Sequence, residues 1–282
     1  MSTSAESTLS TFVASDGDNI VIQDWPLASS LALRGVVILV HGLGEHAGRY
    51  DHVARRFNTW GFAVRGYDQC GHGESGGPRG GLPNDTRLLD DLADIVDSTR
   101  AKMQKGVPLI LLGHSMGGLV VARFVSLAIR PVEGLILSSP ALDPGLNPVQ
   151  TLLVAFLHKL LPDLRVGNGL KPQFISHDPE VVKAYHADRL VHDRISARLG
   201  RFIATAGQKV EVLAPGWRVP TLLLYAGDDR LLNPNGSARF AAAAPKDVVK
   251  AVCFESLYHE IFNELNAEPV FDALKAWMDQ KF

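Results

Sequence analysis

Ser115 lies in a pattern that could make a hydroxyl into a nucleophile. Gly113-His114-Ser115-Met116-Gly117 follows the apolar run Leu109–Leu112 directly and opens the apolar stretch from Leu119 to Ala128. This is G-x-S-x-G between a strand and a helix, a sharp turn that presents the serine at a helix N-terminus. Glycines at 113 and 117 let strand and helix close on each other around the strained residue. The N–H of Met116 would point at the negative charge that develops when the hydroxyl adds to a carbonyl. The chemistry implied is acyl transfer through a covalent serine intermediate.

A serine hydroxyl needs a base, and around such a turn the chain order is serine, then an acid, then histidine. The sequence has ten histidines, so position must choose among them. His259, in Leu257-Tyr258-His259-Glu260, follows the last strand-like run, where a loop can reach back over Ser115. His158, His177, His186 and His192 fall in a helical segment, His41 and His72 in glycine-flanked turns. His114 is expected to be pinned beside the nucleophile and to point elsewhere. The acid should follow the strand before the one that leads to His259. Ala226-Gly227-Asp228-Asp229-Arg230 follows Leu222–Tyr225 and offers two aspartates, either of which could orient an imidazole while the other shapes the turn. Asp143, after Leu135–Leu137, is a weaker alternative.

A second oxyanion donor is expected from the loop after Val36–Val40. His41-Gly42-Leu43-Gly44 fits, through the backbone N–H of Leu43. Glu45, His46 and Arg49 follow. They could face a polar head group, but they read better as a helix start with a Glu45–Arg49 pair at i and i+4.

These residues need a frame, and the sequence supplies one in alternating short apolar runs and helical patterns. Val36–Val40, Phe62–Val64, Leu109–Leu112, Leu135–Leu137, Leu222–Tyr225 and Val248–Phe254 read as strands. Tyr50, Val53, Ala54 and Phe57 form one helix stripe, ended by Gly61; Leu88, Leu92, Ile95 and Val96 form another, and Val270, Leu274, Trp277 and Met278 a last one. Strands without polar alternation are buried on both faces, so the expected class is α/β, a mostly parallel sheet flanked by helices.

From about Pro144 to Trp217 the rhythm breaks. No convincing strand is visible there, and Thr151–Leu161 is apolar nearly all round between Pro148 and Pro162. The expected organisation is a first core part over 1–143, a helical cap over 144–217 and a second core part over 218–282. The cap would sit over the carboxyl ends of the strands, where ligands bind in open α/β sheets. Leu152 and Phe156 are the expected substrate-binding residues, and the apolar cap could equally meet a lipid surface or pack on the core.

A formal net charge of −2 argues against nucleic acid or a strongly anionic membrane as the main partner. Two distant cysteines in no ligand spacing suggest neither a disulfide framework nor a zinc site, and a reducing setting. Met1–Thr8 lacks the basic and apolar regions of a secretory leader, and no run approaches the roughly 20 apolar residues of a membrane span, which points to the cytoplasm.

Together these stretches resemble the monoacylglycerol lipase and lysophospholipase branch of the α/β-hydrolases. The matching segments are His41–Tyr50, Asp68 with Gly71-His72-Gly73-Glu74-Ser75, Gly113–Gly118, Ser138-Ser139-Pro140, Gly227–Arg230 and Tyr258-His259-Glu260. They run in family order over almost the whole chain. The resemblance implies the α/β-hydrolase fold with a helical cap between the sixth and seventh core strands. It selects Asp229 as the acid of a triad with Ser115 and His259, and carries Leu43 and Met116 over as oxyanion donors. The implied reaction is hydrolysis of a monoacylglycerol- or lysophospholipid-like ester, with no metal or organic cofactor. An esterase for small or aromatic esters, acyl transfer to another alcohol, and a non-catalytic binding protein on the same scaffold are the rival readings.

Overall fold

The computed structural model describes residues 6–282; the leader reading rests in part on residues 1–5, which lie outside them. Eight strands form one sheet: β1 (Thr8–Val13), β2 (Asn19–Trp25), β3 (Gly35–Val40), β4 (Phe62–Tyr67), β5 (Leu109–His114), β6 (Gly134–Ser138), β9 (Thr221–Ala226) and β10 (Val249–Phe254). Their spatial order is β1-β2-β4-β3-β5-β6-β9-β10. The six strands from β4 to β10 run parallel, whereas β1 pairs with β2 and β2 with β4 antiparallel.

The apolar runs explain the layering. In β3, Val37 and Leu39 face one side of the sheet while Val36, Ile38 and Val40 face the other, and Ile110 and Leu112 alternate with Leu109 and Leu111 in the same way. The first side is covered by α1 (Asp51–Thr59) and α8 (Glu268–Lys281), through Val53, Phe57, Leu274 and Trp277. The second is covered by α2 (Arg87–Arg100), α3 (Met116–Ser126) and α7 (Asn235–Ala243), through Leu92, Leu119 and Phe240. Burying each such aliphatic side chain contributes roughly 1.5–3 kcal/mol.

The sequence reading had no strand before Val36. β1 is an exposed edge strand and β2 alternates buried and partly exposed residues, so neither shows the unbroken apolar run that marked the central strands. The segment between β6 and β9 also differs from expectation. It contains α4 (Pro148–Leu160), α5 (Pro179–Ala187) and α6 (Ala197–Leu213), together with a two-stranded antiparallel ribbon of β7 (Arg165–Gly167) and β8 (Arg194–Ser196). Three-residue strands are too short to show a pattern. α4 starts where Pro148 stands at its first position. Asn147 accepts the Gln150 N–H at 2.9 Å, and the Gln150 side chain accepts the Asn147 N–H in return.

This insert is tied to the rest of the chain at several points. The N–H of His192 donates to the Gly44 carbonyl, that of Ser196 to Gly80 and that of Glu260 to Ile175. His46 Nε2 lies 2.8 Å from Asp188 Oδ2.

Candidate active site

β3, β5, β9 and β10 end on the same edge of the sheet, and the loops that follow them carry Leu43, Ser115, Asp229 and His259 in turn. Parallel strands force this: their carboxyl ends share one edge, so residues far apart in sequence are brought together above it.

Ser115 sits between β5 and α3 with φ 53° and ψ −118°. Such a backbone costs an L-residue about 1–3 kcal/mol and persists when its surroundings over-determine it. Here the Ser115 N–H donates to the Ser138 carbonyl, and the Ser115 carbonyl accepts from both Leu119 and Ala141. Gly117 is part of the same constraint, because a Cβ there would run into the carbonyl oxygens of Val40 and His41. Met116, the next residue, is buried.

His259 is buried, with Nδ1 2.7 Å from Asp229 Oδ2. The other Asp229 oxygen accepts the N–H groups of Leu231 and Leu232 at 2.9 and 3.0 Å. Burial alone would lower the His259 pKa, but the Asp229 charge and hydrogen bond outweigh it and hold it above the usual histidine value. Burial would likewise raise Asp229, and the contact with His259 together with the two N–H donors brings it below the usual carboxylate value. The two candidates that spacing left open are separated by these contacts. Asp228 pairs instead with the exposed Arg230, and Asp143 accepts from Asn233 and Arg239.

Ser115 and His259 line the same small cavity, with Gly42, Leu43, Tyr185 and Glu260. His114 lines it too, its ring centroid 4.8 Å from that of His259, so it faces His259 rather than pointing away as expected. Burial, followed by the proximity of His259, lowers the His114 pKa to about 4 and keeps it neutral. Beside this space Ser115, Leu43 and Met116 also line a larger chamber of about 430 Å³, walled by Leu146, Val154, Leu157, Ile195, Ile203 and Leu232 among others. That volume lies in the range of small-molecule sites, about 300–1,000 Å³.

Leu152 and Phe156, expected to bind substrate, stand on the outer face of α4 at 72% and 57% exposed, and Val154 and Leu157 line the chamber in their place. A helix that is apolar all round carries no mark of which face turns inward. Sequence reasoning also missed a buried polar cluster. The Glu45–Arg49 pair is present at 2.5 Å, but Arg49 additionally donates twice to Glu260 and stacks 4.8 Å from the Tyr185 ring centroid. The adjacency of Glu260 to His259 was the available signal; the pairing across 211 residues was not readable from it. Among the described residues no group of His, Cys, Asp and Glu is arranged to hold a metal ion, and no helix is long and apolar enough to cross a membrane.

A parallel sheet with a serine on a strained strand-to-helix turn, and a histidine–aspartate pair on the neighbouring loops of the same edge, defines an α/β-hydrolase. The chain belongs to the serine aminopeptidase, S33 family (Hydrolase_4), whose model matches residues 32–266. Within that family it is a hydrolase of the monoacylglycerol-lipase-like branch. It is 37% identical over 248 residues to a monoacylglycerol lipase of Mycolicibacterium smegmatis, covering 87% of this chain and 88% of that protein. The crystal structure of a monoacylglycerol lipase from Paleococcus ferrophilus matches with a TM-score of 0.81 at 32% identity, covering 99% of this chain and all of that one. An uncharacterized abhydrolase domain-containing protein of Dictyostelium discoideum is 32% identical over 280 residues, and there the chain spans 29% of the relative's length.

Proposed function

We propose that this protein is a carboxylic-ester hydrolase for monoacylglycerol-like lipid esters, with Ser115, His259 and Asp229 as its catalytic triad. The observation that carries the reading is that Ser115 borders both the cavity shared with His259 and an apolar chamber large enough for an acyl chain. The names of the relatives in Mycolicibacterium and Paleococcus agree with it.

The reaction runs in two halves. Ser115 Oγ attacks the ester carbonyl while His259 Nε2 takes its proton, and the oxyanion rests on the N–H groups of Leu43 and Met116. The tetrahedral intermediate collapses, the C–O bond to the alcohol breaks, and His259 gives its proton to the leaving oxygen. Water then attacks the acyl-enzyme, again deprotonated by His259, and releases the acid and the free serine. Asp229 holds the imidazole tautomer and stabilises the imidazolium without taking the proton.

In this reading the insert over residues 144–217 is a cap, with Val154 and Leu157 lining the acyl chamber. The outer face of α4, with Val149, Leu152, Leu153, Phe156 and Leu160 all more than half exposed, is a surface for contact with lipid.

The test is acid release from medium- and long-chain monoacylglycerols beside a chain-length series of simple esters, with native protein and Ser115→Ala. Cleavage of monoacylglycerols by the native protein and its loss in the variant support the reading. Cleavage confined to short or aromatic esters removes the lipid assignment and leaves the triad.

A further inference from the structure

We infer that Glu45 is a positioning residue for acyl transfer: its carboxylate accepts the Gly42 N–H and so holds the loop after β3 with the neighbouring Leu43 N–H turned to the oxyanion. The inference rests on the reading of Ser115 as nucleophile given above.

Glu45 is 3% exposed, although a carboxylate is rarely buried without partners. Three donors converge on it. Oε1 accepts the Gly42 N–H at 2.5 Å and the Tyr50 hydroxyl at 2.6 Å, while Oε2 accepts Arg49 Nη1 at 2.5 Å. Gly42 is sandwiched between this carboxylate and the nucleophile. A Cβ built on it would stand 2.7 Å from Glu45 Oε1 and 3.2 Å from the Ser115 Cβ. Two residues on, the Gly44 carbonyl accepts the N–H of His192 at 2.9 Å. The Leu43 peptide is therefore held from both sides, by a side chain on one and by the insert on the other.

A bare carboxylate beside a developing oxyanion would oppose the reaction, and Arg49 answers that objection. The guanidinium neutralises Glu45 and also binds Glu260 in a forked pair, at 2.7 and 2.8 Å. Glu260 follows His259 in the chain, so one cation ties the oxyanion loop to the loop that carries the base. The carboxylates of Glu260 and Glu45 act on His259 in the direction that favours the imidazolium formed during attack, after the larger effect of Asp229. Burial alone would raise the Glu45 pKa, but Arg49 and then His114 and His41 bring it down to about 2, so the acceptor stays ionised at working pH.

The experiment compares Glu45→Gln, Glu45→Asp and Glu45→Ala with native protein and Ser115→Ala on a soluble ester. Affinity for an alkyl trifluoromethyl ketone, whose serine adduct places an oxyanion in the hole, is measured alongside. Glu45→Ala should lower kcat by about 100-fold, the loss typical of one oxyanion donor, with KM changed less than about threefold, as for an interaction made in the transition state. Glutamine keeps an oxygen at the right reach and loses the charge, whereas aspartate keeps the charge and loses the reach. Positioning through Gly42 therefore predicts that Glu45→Gln retains more kcat than Glu45→Asp, and that ketone affinity falls in step with kcat/KM. The reverse order of Gln and Asp, a rise in KM at native kcat, or unchanged ketone affinity would overturn the inference. Activity surviving in Ser115→Ala would instead overturn the nucleophile reading on which it rests. Should Glu45→Ala fail to fold, the Gln and Asp pair decides.

Discussion

Asp229 Oδ2 stands 2.7 Å from His259 Nδ1, and the two side chains are 4% and 6% exposed. Its neighbour Asp228 lies at the surface against Arg230. Asp229→Asn should thus lower kcat by about 10⁴-fold, the loss seen when a triad carboxylate is replaced and the wrong imidazole tautomer results. Asp228→Asn should stay within about twofold of native, because it alters an exposed, solvent-screened pair that does not touch His259. Steady-state kinetics of the two variants check both numbers, and equal losses would mean that the acid has been misassigned.

The pH profile follows from the same pair. In the proposed mechanism His259 must be neutral to accept a proton, and Asp229 raises its pKa above the usual histidine value against the lowering effect of burial. Activity should fall as the pH drops through that raised value, with an acid limb in kcat/KM above the ordinary histidine range. In Asp229→Asn burial dominates, and the limb should move to lower pH. His114, with its pKa near 4, stays neutral over this window and adds no titration to it. An acid limb that Asp229→Asn leaves in place would assign the titration to another group.

Gly117→Ala places a methyl group against the carbonyl oxygens of Val40 and His41, backbone atoms that have no room to yield. The expected destabilisation is about 3 kcal/mol, the upper part of the range for overpacking, which corresponds to a fall in Tm of about 6–12 °C for a chain of this size. Differential scanning calorimetry reads it directly. A Tm within about 2 °C of native, less than 1 kcal/mol on that scale, would show that α3 can shift.

The outer face of α4 supplies the prediction that separates lipid docking from catalysis. Leu152→Asp with Phe156→Asp removes two exposed apolar side chains, each worth about 1.5 kcal/mol or more if buried in lipid. Hydrolysis of monoacylglycerol presented in phosphatidylcholine vesicles should fall at least about tenfold, the effect of losing 1.4 kcal/mol of surface affinity. Turnover of a soluble short-chain ester should be unchanged. Equal effects on both substrates would place these side chains in the reaction path instead.

The α/β class and the central parallel strands were legible because strands buried on both faces must be written as unbroken apolar runs, as at Val36–Val40 and Leu109–Leu112. The serine turn was legible for a similar local reason: a sharp strand-to-helix turn demands glycines at fixed offsets, and Gly113 and Gly117 supply them. β1 and β2 were not, since an edge strand and an alternating strand share their pattern with many loops, and neither was the β7–β8 ribbon.

What only the tertiary structure decided are the pairings between separate loops. Spacing alone left Asp228 and Asp229 equal and the family resemblance chose Asp229; the turn after β9 is what brings that residue to His259. That Val154 and Leu157 of α4 face the chamber while Leu152 and Phe156 face outward depends on the rotation of a helix that is apolar nearly all round. That Arg49 bridges Glu45 and Glu260 depends on two loops meeting above the sheet. Periodicity reports a residue's own backbone and its exposure; a contact across 211 positions is set by the packing of the layers between, which no local pattern encodes.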